Sequence, residues 1–231
     1  MDTIYNCNEI FRILESEILS LSIAPGQVLS EHQLCERFSV SRTPIRSVLQ
    51  RLQEKELVNI VPYKGTVVTL LDFDIVNQMI YQRVAVETMV LRDFIRNSSP
   101  LDVELARHAL SNLTDAYAPK DNGALNPDYF FKVDLQMHEL WFKSTRKPYL
   151  WENIRRQQSS YTRFCVLDML ETRNYEHVIK EHTEMLRLIE TKETSSIEDL
   201  LTQHLYGGVR RLGSMVFNEF KDYFIPPEST L

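Results

Sequence analysis

The sequence predicts a mainly α protein in two parts: three short helices closed by a β-hairpin, then an all-helical antiparallel bundle. Apolar residues recur at helical spacing over most of the chain. Paired β-branched runs occur between Leu57 and Leu70, and no strand is needed after Leu71. The 231 residues are 43% hydrophobic and 25% charged with 6 glycines, which suits one or two folded domains and excludes collagen-like, low-complexity and disordered classes.

In chain order, Ile10, Phe11, Ile13, Leu14, Ile18 and Leu19 form the apolar stripe of a first helix within 4–21, stopped by Ala24-Pro25-Gly26. Ser30 before Glu31 starts a short second helix, carried inward by Leu34 and Phe38. After Ser39-Val40, Ser41 is a cap for a third helix that tolerates Pro44 in its first turn and buries Ile45, Leu49 and Leu52. Leu57–Val61 and Thr66–Leu70 flank Pro62-Tyr63-Lys64-Gly65 as a hairpin. Three helices and such a wing make a winged helix-turn-helix, spanning 1–71. Beyond it, breaks at 97–100, 119–127, 147–148 and 194–196 separate helices expected at 72–97, 101–117, 127–144, 148–170, 173–192 and 196–221. This second domain is expected to span 72–224, before a flexible Pro-containing tail at 225–231.

The formal charge is -6, so no global positive field advertises nucleic acid, and any DNA reading must come from a local patch. Between Glu36 and Thr66 such a patch exists: Arg37, Arg42, Arg46, Arg51, Lys55 and Lys64 stand against Glu36, Glu54 and Glu56. Cys7, Cys35 and Cys165 are too few and scattered for a disulfide framework, which points to a reducing, cytoplasmic compartment. No basic leader or run of about 18 apolar residues is present, so a secreted or membrane protein is not expected.

In a helix-turn-helix the second helix of the pair enters the major groove. Arg42 and Arg46 lie four apart at its start, opposite Ile45 and Leu49, where a guanidinium can donate two hydrogen bonds to guanine. Ser41 and Thr43, with Tyr63, Lys64 and Gly65 from the wing, suit phosphate contacts. The string Pro25-Gly26, Leu29-Ser30-Glu31, Leu34, Val40-Ser41-Arg42-Thr43-Pro44-Ile45-Arg46, Leu49, Leu52, Leu57-Val58, Pro62 and Gly65 resembles the DNA-binding domain of the GntR family of bacterial transcriptional regulators. Ser39 stands where that family usually has glycine, and Ser47 where it commonly has glutamate.

In the second part, Phe130, Val133, Met137, Leu140 and Trp141 make a core stripe with Asp134 and His138 beside it, four apart, the spacing by which a helix offers two ligands to one metal. His182 and His204 follow on other helices among apolar neighbours, so one aspartate and three histidines can surround a divalent ion. That arrangement resembles the metal-binding pattern of the FCD effector domain of FadR-like GntR regulators, as do Arg83 and Glu87 and the run Lys147-Pro148-Tyr149-Leu150. The resemblance implies a homodimer that binds operator DNA and a small organic acid, whose carboxylate would reach the metal and a nearby arginine. Arg83 is the chosen anchor, and Arg163 a second effector-binding candidate; the competing role for Arg83 is a surface pair with Glu87. Tyr81, Tyr129, Phe130, Trp141 and Tyr161 are expected in the core. Zinc is the default ion, with nickel, manganese, iron and cobalt compatible with the same donors.

Two other classes compete. A metalloenzyme could use such a site to activate water, with Glu139, Glu181 or Glu184 as base, but no HExxH motif, nucleophile elbow or phosphate loop is present. A DNA-architectural protein with a structural ion would bind DNA without an effector.

Overall fold

The computed structural model describes residues 5–63, 65–117, 125–156 and 159–226. Lys64, most of the stretch 120–126 and the end of the expected tail, from residue 227, lie outside them. Helix α1 (Cys7–Leu19) begins with a reciprocal cap: the Asn6 side chain accepts from the Asn8 and Glu9 amides while Glu9 accepts from the Asn6 amide. A two-residue strand β1 (Val28–Leu29) precedes α2 (Glu31–Phe38), whose cap Ser30 accepts from the Gln33 amide. The turn residue Ser39 is left-handed, at φ 53° and ψ 42°. Helix α3 (Arg42–Glu54) starts at Ser41, although the Ser41 hydroxyl makes no capping hydrogen bond.

Strands β2 (Val58–Val61) and β3 (Gly65–Val68) pair antiparallel with Val61 opposite Gly65, which begins β3 at φ 97°. β1 was not expected; it pairs with the other side of β3, giving the order β1-β3-β2. Two residues are too few to show alternation, so only the fold reveals that strand. Ile10, Leu14, Ile18, Ile45, Leu49 and Leu52 meet in the core beneath.

The described residues form two compact units. One comprises residues up to Phe73 together with 159–163 and those from Ser214; the other comprises 74–158 and 164–213. The first unit is completed by the chain's return: the Leu71 amide donates to the Tyr223 carbonyl at 2.8 Å, and the Ile225 amide to the Leu71 carbonyl at 2.9 Å. Phe73 packs edge-on against Phe217 and Phe224.

Helices α4 (Phe73–Asn97), α5 (Pro100–Tyr117), α6 (Pro127–Ser144), α7 (Pro148–Arg156), α8 (Ser159–Thr172), α9 (Tyr175–Thr191), α10 (Ile197–Leu205) and α11 (Gly207–Leu212) follow. Where one helix was expected over 148–170 the structure has α7 and α8. The expected helix 196–221 is instead α10, α11 and two 3-10 turns, Gly213–Phe217 and Lys221–Tyr223. Gly208 explains why α11 can lie close to α8, since a Cβ there would fall 3.0 Å from Phe164 and 3.2 Å from Asp168. The second unit's core gathers Phe94, Met137, Trp141, Trp151, Leu188 and Leu201. Among the described residues no helix is long and apolar enough to cross a membrane.

Candidate metal centre and nucleic-acid interface

Three helices assemble a four-residue cluster inside the second unit. α6, started by Asn126 capping the Tyr129 amide with Pro127 at its first position, presents Asp134 and His138 from adjacent turns. α9 contributes His182 and α10 contributes His204, and one ligand atom from each of the four lies within 4.8 Å of the others. Asp134, His138 and His182 are buried, and His204 is nearly so.

The far side of each imidazole settles which nitrogen faces the cluster. His138 Nδ1 is 2.5 Å from Glu87 Oε2, His182 Nδ1 is 2.9 Å from the Val178 carbonyl, and His204 Nδ1 is 2.9 Å from Glu181 Oε2. A carbonyl and two ionised carboxylates only accept, so each Nδ1 carries the proton and each Nε2 turns a lone pair inward. Burial pushes the pKa of His138 and of His182 down, which favours this neutral form. For Asp134 burial opposes the charge, yet its carboxyl stays below its ordinary value, with the Arg83 cation among the groups that favour the ionised form.

Inward, the groups lack protein partners. Asp134 Oδ1, His138 Nε2 and His182 Nε2 are buried without a hydrogen bond, although His182 Nε2 is only 3.2 Å from Asp134 Oδ1. Two acceptors so close repel unless a cation stands between them. His138 Nε2 is 3.9 Å from Asp134 Oδ2 and His204 Nε2 is 4.0 Å from Asp134 Oδ1. Ligands each about 2.1 Å from one ion are roughly 3–4 Å apart, so the donor set fits a divalent metal in both spacing and chemistry.

Arg83 is not the surface partner the sequence allowed. It is buried with Glu87, which takes its Nε at 2.5 Å through Oε1 while Oε2 meets His138. Burial works against the Glu87 charge, but Arg83 and His138 overcome it and lower its pKa to about 2. Arg83 therefore stands one carboxylate away from the cluster. Arg163 is occupied elsewhere: buried in the first turn of α8, it donates to the carbonyls of Ser159 and Thr69 and to the Thr69 hydroxyl. Burial depresses its pKa to about 10. Phe130, Trp141 and Tyr161 are buried as expected, but Tyr81 and Tyr129 are exposed, each one step off the inward row of its helix.

Glu181, imagined from sequence as a catalytic base, instead holds His204. It and Glu87 are the groups whose roles sequence spacing did not disclose, because each acts across to another helix, 23 and 51 residues away.

On the first unit α3 leaves Arg42, Thr43 and Arg46 exposed beside Ser41, above the buried Ile45, Val48 and Leu49. Tyr63 is fully exposed at the wing turn, with φ 63°. The basic excess is more focused than sequence suggested. Arg37 pairs with Glu17, Lys55 with Glu15, and Arg51 donates to Asn8 while covering the Phe11 ring. Those three bind α2 and α3 to α1, which leaves Arg42, and Arg46 with its Glu31 partner, on the outer face.

Residues 6–68 match the family model described as bacterial regulatory proteins, gntR family, and residues 78–207 match the FCD domain. The transcriptional repressor RspR of Escherichia coli is 27% identical over 197 residues, covering 85% of this chain and 84% of that protein. The gluconate operon repressor of Bacillus licheniformis is 26% identical over 199 residues, covering 84% and 77%. Among solved structures, that of E. coli McbR/YncC has the same fold, with TM-score 0.67 and 16% identity over 94% of this chain and 100% of that one. With a winged helix-turn-helix matched by the one model and a helical bundle over more than half of the chain matched by the other, the chain belongs to the GntR family of DNA-binding transcriptional regulators, in the group that carries an FCD domain, and is not an enzyme.

Proposed function

We propose that this regulator's operator affinity is modulated by a small carboxylic acid bound beside a divalent metal in the helical domain. The observation that carries the reading is the convergence of Asp134 Oδ1, His138 Nε2 and His182 Nε2, buried, without partners, and fixed from behind. Asp134, His138, His182 and His204 would hold the ion, with zinc the first expectation. A bound ion would supply a Lewis-acidic position for one carboxylate of the effector. Glu87 and Glu181 hold His138 and His204 in the ligating tautomer. Arg83 is the chain's cationic anchor for the acid, its field already acting on Asp134. With its guanidinium engaged at Thr69, Arg163 no longer recommends itself as an effector contact.

On the DNA side, Arg42 and Arg46 read base edges, while Ser41, Thr43, Tyr63, Lys64 and Gly65 contact phosphates. DNA reading is assigned to the first unit, in which the returning segment from Ser214 joins the residues up to Phe73, and metal, effector and dimerisation to the second, in place of the sequence-derived division at 71 and 224. The exposed row Ile75, Tyr81 and Met89 along α4 supports a homodimer, which would meet two half-sites in the cytoplasm. Effector control then follows from a difference in affinity for two dimer geometries.

The test is thermal unfolding against a panel of small carboxylic acids before and after chelation, with metal content measured on the same sample. A stoichiometric metal, and an acid that raises Tm only in the loaded protein and shifts DNA affinity, is the expected result. Metal without any acid-dependent shift would reduce the site to a structural ion.

A further inference from the structure

Arg46 is half of the proposed base-reading pair, and the structure holds it in a way that Arg42 is not held. Its Nε lies 3.1 Å from both Glu31 Oε1 and Glu31 Oε2, across the angle between α2 and α3. Among the described residues no hydrogen bond or ion pair is found for Arg42. Glu31 is the first residue of α2, and the Ser30 cap and the buried Leu34 and Phe38 fix where its side chain begins. The contact engages one edge of the Arg46 guanidinium. Among the described residues no hydrogen bond is found for the terminal Nη1 and Nη2, so the end of the guanidinium stays available as a two-donor fork, which matches the O6 and N7 of guanine.

A carboxylate is otherwise a poor resident of a DNA-facing surface. Beside phosphates it repels, so it lowers affinity for every sequence alike. Its presence there is explained if it spends that affinity on orientation, since a guanidinium fixed before docking loses less rotational freedom on reaching a base. We propose that Glu31 is a positioning residue for base recognition: it presents Arg46 as a preset fork and suppresses sequence-independent binding. The proposal rests on Arg46 being a base reader.

The test uses the full-length protein and a duplex selected by the wild type from a random-sequence library. At one fixed salt concentration, Kd is measured for that duplex and for an unselected duplex of equal length, with wild type, Glu31→Gln, Arg46→Ala and the double variant. Discrimination, the ratio of the two Kd values, is expected to fall about tenfold in Glu31→Gln, while the unselected duplex binds as tightly as before or more tightly. In the Arg46→Ala background Glu31→Gln should cause no further loss. A Tm of Glu31→Gln equal to wild type separates this from unfolding. Unchanged discrimination in Glu31→Gln, with loss in Arg46→Ala, overturns the positioning role and leaves Arg46 as a reader. An equal loss in both backgrounds overturns it as well. Retained discrimination in Arg46→Ala removes the reading on which the proposal stands.

Discussion

Single residues in this chain are placed by what surrounds them more than by what they are. Ser39 adopts a left-handed conformation that an L-residue enters at a cost of about 1–2 kcal/mol and glycine enters freely. Glycine's greater freedom in the unfolded chain offsets part of that relief, so Ser39→Gly should stabilise the protein by about 1 kcal/mol at most, raising the first unit's midpoint in a denaturant titration. A lowered midpoint would mean the serine side chain makes a contribution that outweighs the backbone. Glu87 shows the opposite dependence. Its two oxygens serve Arg83 and His138 at once, so removing it would leave a buried guanidinium and release an imidazole together. Neither role was readable from Arg83-x-x-x-Glu87, since that spacing fits an exposed pair equally well, and only the depth of α4 in the bundle decides between them.

At the scale of elements, helix ends explain most of what the sequence disclosed and most of what it concealed. Ser30 was legible as the start of α2 and does cap it, whereas Asn6 and Asn126 cap α1 and α6, helices that only their apolar spacing disclosed, and Ser41 was legible as a cap but makes no capping hydrogen bond. α5 has a sharper device: the Ser99 amide and hydroxyl donate to Asp102, and the Asp102 amide donates to the Ser99 hydroxyl. The Ser99 side chain and then its amide hold the Asp102 carboxyl below its ordinary pKa. A depressed folded pKa gives stability that is present above the unfolded value, about 4, and is lost as pH falls through the folded one. Asp102→Asn should therefore be less stable than wild type at neutral pH, with the gap closing in acid; a gap independent of pH would assign the effect to geometry instead of charge. By contrast β1 is two residues long, and the close packing of α11 on α8 depends on Gly208, a contact no local pattern encodes.

For the molecule as a whole, the candidate metal cluster was legible in outline because the Asp134–His138 spacing on α6 is local, whereas Glu87 and Glu181 reach His138 and His204 from segments 51 and 23 residues away. The same holds for the DNA-reading unit. Its helices and wing could be drawn from residues 1–71, yet the structure completes it with Phe217, Phe224 and the backbone of Tyr223 and Ile225 around Leu71 and Phe73. Removing the chain from Ser214 onward would strip Leu71 of two hydrogen bonds and expose Phe73. Such a truncation is expected to lower the unfolding temperature of that unit and weaken DNA binding while the bundle keeps its own unfolding transition. DNA affinity equal to the full chain would show the return to be dispensable.

That return also fixes an order of events during synthesis. The third helix and wing leave the ribosome early, but the segment around Phe224 that bridges to Leu71 emerges after every helix of the bundle has been made. Until then the first unit carries an uncovered Phe73 and an unpaired Leu71 backbone. The first unit is thus completed only once the helical bundle of the same chain has been translated, so a message cut short within the bundle yields a first unit that lacks its closing contacts at Leu71 and Phe73.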